Sequence, residues 1–165
     1  MSAILVLIAE KEQRKSIQIF AFIFVTGFLI ELIGVQTALL FGEYTYESSM
    51  GPLLFGTPLI IGATWYAVVA GAASVAGLFR LNIFLKSALA GMLAVLMDLF
   101  IEQVAIKYEL WRWTDGQPPV YNYICWFVFG SMFAFLYIKN TKNLNKTALS
   151  LFGIWLLFFT VLTLF

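Results

Sequence analysis

The sequence predicts an all-α, polytopic membrane helical bundle of about five transmembrane helices, on three observations. Of 165 residues, 62% are hydrophobic and 12% charged, against roughly half and a quarter in soluble domains. The mean hydropathy is +0.92, the range of multi-span membrane proteins. The apolar residues gather into five stretches near the roughly twenty residues that cross a bilayer: 17–40, 53–79, 83–106, 121–138 and 147–165. No internal repeat or composition break marks a second unit, so residues 1–165 read as one integral membrane helical domain.

Taken in order, residues 1–9 are apolar but too short to span. They lack a basic n-region and a cleavage site, so they are not a signal peptide. They read as the last turns of a helix, and a native N-terminus further upstream is expected. The first span carries Glu31 between Gly27 and Gly34. The second repeats small residues at helical spacing, Ala67 with Gly71, Ala70 with Ser74 and Ala73 with Gly77, a ridge that lets helices approach closely. The third carries Asp98 and Glu102. The fourth opens after Pro118-Pro119 with Asn122 near its head, and the fifth is apolar throughout.

The turns between spans differ in kind. Eight of the ten Lys and Arg residues (Lys11, Arg14, Lys15, Arg80, Lys86, Lys139, Lys142, Lys146) fall in turns 10–16, 80–86 and 139–146, and only Lys107 and Arg112 on the other side. By the positive-inside rule those three turns are cytoplasmic and the chain lies in the cell (inner) membrane. Loops 41–52 and 107–120, FGEYTYESSMGP and KYELWRWTDGQPPV, then face outward, rich in Tyr, Trp, Gly, Pro and carboxylates. An interfacial aromatic belt is one reading of them.

The chain has no histidine and a single cysteine, Cys125. Histidine-rich di-iron sites, His-ligated haem, zinc-protease motifs and Ser–His or Cys–His dyads are thereby excluded, as is an intrachain disulfide. A net charge of +1 offers no electrostatic case for nucleic acid. Chemistry must run on carboxyls, Tyr, Trp, Asn and Lys/Arg, with no metal or cofactor expected.

Three carboxyls inside spans need a reason, since each costs about 2.5–3.5 kcal/mol near the bilayer centre on insertion scales. Asp98 and Glu102 are four apart and share a helix face, continued by the small residues Gly91, Ala94 and Ala105. That face and the Gly27–Glu31–Gly34 stripe should look into the bundle at similar depth. A structural polar cluster or a proton relay competes with catalysis. Carboxyls crowded in a low dielectric cannot all ionise, so one is expected to keep its proton and serve as a general acid. Tyr44, Tyr46, Trp65, Trp111, Trp113 and Trp126 surround this region. Their faces could stabilise a nearby cation, or they could be core and belt packing. Asn122 could position water or cap a helix.

At these residues the sequence resembles a family. Residues 31–65, ELIGVQTALLFGEYTYESSMGPLLFGTPLIIGATW, carry E-x-x-G-V-x-T, F-G-x-Y-x-Y, G-P and G-x-P, closing on Trp65. Residues 98–126, DLFIEQVAIKYELWRWTDGQPPVYNYICW, carry D-x-x-x-E, W-x-W, a proline, and Asn122 with Trp126 four later. Both stretches are similar to carotenoid biosynthesis proteins of the carotenoid 1,2-hydratase type. This chain departs at Glu102-Gln103, where the family usually has Asp-Pro, and at Gln117-Pro118-Pro119, where it has glycine–aliphatic–proline.

The resemblance implies addition of water across the terminal C1–C2 double bond of an acyclic or monocyclic carotenoid, without oxygen, metal or nucleotide. Asp98, Glu31 and Glu102 would then be catalytic, with Tyr44, Tyr46, Trp65, Trp111, Trp113, Asn122 and Trp126 binding substrate. The lipid bilayer and other carotenoid-pathway enzymes are the implied partners. A helical lycopene cyclase is the nearest rival, but its Pro-x-Glu-Glu motif is replaced here by Pro119-Val120-Tyr121-Asn122. A non-catalytic carotenoid-binding or proton-relay subunit is the other.

Overall fold

The computed structural model describes residues 1–10, 13–141 and 144–164. Lys11 and Lys142 of the basic turns, and Phe165 at the end of the fifth expected span, lie outside the described residues. Six α-helices form among the described residues: α1 (Ser2–Ile8), α2 (Gln13–Thr37), α3 (Ile60–Gly77), α4 (Ile83–Lys107), α5 (Val120–Asn140) and α6 (Lys146–Leu164). All but α1 are long and apolar enough to cross a membrane. The protein is an all-α, polytopic membrane bundle, as its composition predicts.

One span starts later than expected. Residues 53–59, read as the beginning of the second span, instead form a small hairpin of β2 (Leu53–Leu54) against β3 (Thr57–Pro58), which follows β1 (Tyr44–Tyr46) in the chain. Its two central residues, Phe55 and Gly56, have φ of 51° and 78°, the positive φ pair that a tight two-residue hairpin requires. Pro58, lacking an N–H, suits a position before the helix rather than within it. Gln36 Nε2 donates to the Phe55 carbonyl at 2.8 Å, pinning this tip to the end of α2. Two helix starts elsewhere are capped by side chains. Asn82 Oδ1 accepts from Leu85 N at 3.0 Å before α4, and Asn145 Oδ1 from Ala148 N at 3.0 Å before α6, each satisfying an orphan first-turn donor.

The most buried span is α3, and it packs against α1, α2, α4, α5 and α6. Its Ala- and Gly-rich sequence is what permits this. A Cβ on Gly62 would stand 2.3 Å from the Phe24 carbonyl oxygen of α2, and one on Gly71 2.8 Å from Phe152 of α6. The expected small-residue ridge is therefore a packing surface. α4 and α5 meet in the same way, where Gly91 lies under the Phe127 carbonyl. The short α1 docks on α2, α3 and α6. Asn145 Nδ2 donates to Glu10 Oε1 at 2.7 Å and to the Val6 carbonyl at 3.0 Å, and the Tyr137 hydroxyl also donates to Glu10.

The aromatic loops meet at one end of the bundle. β1 pairs antiparallel with β4 (Trp111–Trp113), with Tyr44 opposite Trp113, Thr45 opposite Arg112 and Tyr46 opposite Trp111. This pairing puts the α2–α3 and α4–α5 connections together. The α3–α4 turn, which holds Arg80, and the α5–α6 turn, which leads into Lys146 at the start of α6, are at the other end.

Candidate functional site

Side chains alternate across a strand, so the β1–β4 ribbon has two unlike faces. Thr45 and Arg112 are exposed on one, where Arg112 Nη2 stands 3.3 Å from Glu47 Oε1. Tyr44, Tyr46, Trp111 and Trp113 turn to the other, over the bundle. Their rings interlock across the strands, Tyr44 with Trp113 at 4.9 Å between centroids and Tyr46 with Trp111 at 5.8 Å. All four carry a hydrogen-bond donor at the tip, and all four donors reach a carboxylate below.

Glu31 Oε2 accepts from the Tyr44 hydroxyl at 2.5 Å and the Tyr46 hydroxyl at 2.8 Å, and its Oε1 from Trp65 Nε1 at 2.9 Å. Glu102 Oε2 accepts from Trp113 Nε1 at 2.8 Å and Trp111 Nε1 at 3.0 Å. Asp98 Oδ2 accepts from Asn122 Nδ2 at 2.8 Å. The three carboxyls are between 1% and 4% exposed, and all line one cavity of about 220 Å³. Two hydrogen bonds to a charged group, at about 1.5 kcal/mol each or more, offset an insertion cost of about 2.5–3.5 kcal/mol. Burial first, and then the charge of Glu31 beside them, hold both Tyr44 and Tyr46 well above the usual phenol range. Both therefore remain donors at neutral pH.

The glycines that flank Glu31 have a specific use. A Cβ on Gly27 would stand 2.9 Å from Trp65 Cβ, and one on Gly34 2.9 Å from the Phe41 ring and 3.2 Å from the Tyr44 hydroxyl. Each glycine clears the space in which a donor to Glu31 sits. On α4, the expected inward face is buried at Gly91, Ala94, Asp98, Glu102 and Ala105. Asn122 lies inside α5, whose N-cap is Pro119, so its side chain serves Asp98 and not the helix end. Trp65 is fully buried and stacks on Trp126, centroids 4.0 Å apart and planes 16° from parallel.

Of the ten residues singled out from the sequence, nine line the cavity; Trp65 stands behind it as a donor to Glu31. The remaining lining was missed. Phe41 is buried with φ of 65°, a backbone state that a bulky residue adopts only when its surroundings enforce it. Ile61 and Thr64 come from α3, Ile101 from α4, and Trp155 and Phe159 from α6. Only the i, i+4 spacing of Trp155 and Phe159 could have marked that pair, and apolar spans are full of such pairs.

A family model described as "Carotenoid biosynthesis protein" matches residues 1–165. The chain belongs to this family. A curated relative, the bisanhydrobacterioruberin hydratase of Haloarcula japonica, is 30% identical over 118 residues. The match covers 66% of the chain and 40% of the relative, so the chain matches less than half of that protein's length. No solved structure matches the chain.

Proposed function

We propose that this carotenoid biosynthesis protein is a cofactor-independent hydratase, adding water across the terminal C1–C2 double bond of an acyclic carotenoid end group. The observation that carries the reading is the unequal treatment of three carboxyls around one apolar cavity. Glu31 has three donors spread over both oxygens, and a proton on either oxygen would compete with one of them. Glu102 has two donors on one oxygen, leaving Oε1 uncommitted. Asp98, on the same helix face, has one donor and leaves Oδ1 uncommitted.

This division assigns roles. Asp98 carries the proton and delivers it to C2; the π electrons of the double bond form the new C–H bond and leave a tertiary cation at C1. Glu31, saturated with donors, stays an anion and is the fixed counter-charge for that cation. The aromatic faces of Trp126, Tyr44 and Trp113 add cation–π stabilisation of about 0.5–2 kcal/mol each. Water then bonds to C1, and Glu102 accepts the proton that it loses. Glu102 returns a proton to Asp98, one helical turn away, and the enzyme is reset. The name of the Haloarcula relative agrees with a hydratase; the roles rest on this chain's own geometry.

The source of the hydroxyl oxygen tests the reading. In a lycopene-making host or a membrane assay, anaerobic and with chelator present, labelled water should place its oxygen at C1 and solvent deuterium at C2. Labelled oxygen gas entering the product would mean an oxygenase, and an isomer of unchanged mass would mean a cyclase. Either would overturn the proposal.

A further inference from the structure

The cavity is far too small for the molecule that the family handles. A cavity of about 150 Å³ takes one benzene, so about 220 Å³ takes a branched end group and no more of a polyene. The rest of the substrate must leave the site, and the lining shows where. The three carboxyls, Asn122 and Trp126 form a wall of buried residues. Six other lining residues keep part of their surface exposed: Tyr46, Met50 and Leu110 at the ribbon end, and Thr64 of α3 with Trp155 and Phe159 of α6. The last three are the half-exposed lining residues that lie on membrane-spanning helices, where the surroundings are lipid. The outside there is apolar: α6 is the least buried span, and its Ile154, Leu157 and Phe158 are all exposed by more than half. Lys107 Nζ donates to the Leu162 carbonyl at 3.3 Å, tying α4 to the end of α6 just beyond Phe159.

We propose that the gap between α3 and α6 at Thr64, Trp155 and Phe159 is a lateral portal through which the polyene stem of the substrate passes into the membrane while its end group sits among the carboxyls. The proposal rests on the hydratase reading and adds the route and the residues that set which chains are accepted. Trp155 and Phe159, an edge-to-face pair with ring centroids 6.4 Å apart, flank the stem; Thr64 faces them as the small residue that keeps the gap open. The substrate class is then any terpenoid chain with an acyclic terminal isoprene unit, and discrimination by chain length resides at the portal.

The test compares two substrates sharing that end group, a C40 acyclic carotenoid and a short acyclic monoterpene alkene that fits within the cavity, on the full chain in membranes. Thr64→Trp, which closes the gap, is expected to lower kcat/KM for the C40 substrate at least tenfold more than for the short one. Trp155→Ala, which widens it, is expected to raise KM for the C40 substrate more than for the short one. Asp98→Asn should lower both equally. Equal losses on both substrates in Thr64→Trp and Trp155→Ala, or no loss in either, would overturn the portal while leaving the hydratase reading intact. Wild-type protein that hydrates neither substrate would overturn the hydratase reading and the portal with it.

Discussion

Tyr44 and Trp113 stand opposite each other in a two-stranded ribbon and donate to different carboxylates, Tyr44 to Glu31 and Trp113 to Glu102. Glu31 is on α2 and Glu102 on α4. One backbone pairing therefore sets the distance and orientation of two carboxylates from separate helices. A slip of one residue in either strand would turn that strand's two aromatic donors outward, because strand side chains alternate with period two.

The register is open to a direct check. Thr45 and Arg112 are paired and exposed on the outer face, so Thr45→Cys with Arg112→Cys should cross-link under mild oxidant. Native Cys125 is buried and should not interfere. Cross-linked protein is expected to keep its hydration activity. Failure to link, with both cysteines open to a thiol reagent, would mean that the two loops do not pair this way.

Removing a carboxyl should separate chemistry from folding. Asp98→Asn and Glu31→Gln are each expected to lower hydration at least about a hundredfold while the protein still inserts, the loss typical of an acid–base group. Glu102→Gln should also lower it, by a smaller factor where water can pass its proton elsewhere. Pigments resolved by mass provide the readout. Wild-type turnover in the Asp98 and Glu31 variants would take both out of the mechanism.

The glycine beside Glu31 gives a steric version of the same experiment. In Gly27→Ala the new methyl meets Trp65 Cβ at 2.9 Å, and Trp65 must move away from Glu31. Overpacking of this kind costs about 1–3 kcal/mol, and hydration should fall about tenfold or more. Gly62→Ala, with its clash against a backbone oxygen of α2, should lower the melting temperature in detergent by at least as much. Unchanged activity in Gly27→Ala would show that Trp65 does not need its bond to Glu31.

Reporter fusions test the orientation expected from the Lys and Arg bias. Fusions at Ser48 and at Asp115 should report the same external side, since their loops pair, and a fusion after Lys139 should report the cytoplasm. If Ser48 and Lys139 report the same side, the order of the spans is wrong.

Amphipathic patterning needs no partner to be read, and so the membrane class, the spans and the inward faces of α2 and α4 were legible in the sequence. Bilayer thickness fixes the length of an apolar helix, and an uncompensated carboxyl at that depth must face protein, whatever the neighbours are. Composition likewise excluded every site built on histidine. Nine of the ten residues singled out line the cavity: carboxyls within spans are few enough to stand out, and most of the Tyr and Trp residues chosen are concentrated in the two loops beside them.

Pairing between distant segments decided the rest. Nothing in FGEYTYESSMGP or KYELWRWTDGQPPV states that YTY and WRW form one ribbon; strand pairing is a property of two segments brought together by helices that pack elsewhere. Four of the six donors to the carboxyls come from that ribbon, and the other two, Trp65 and Asn122, from α3 and α5. The late start of α3 follows from a hairpin whose Phe55–Gly56 turn is held by Gln36 of another element. Trp155 and Phe159 were invisible for the opposite reason. On an apolar span a residue facing lipid and one facing a cavity have the same chemistry, and only the packing of α6 on α3 and α4 tells them apart.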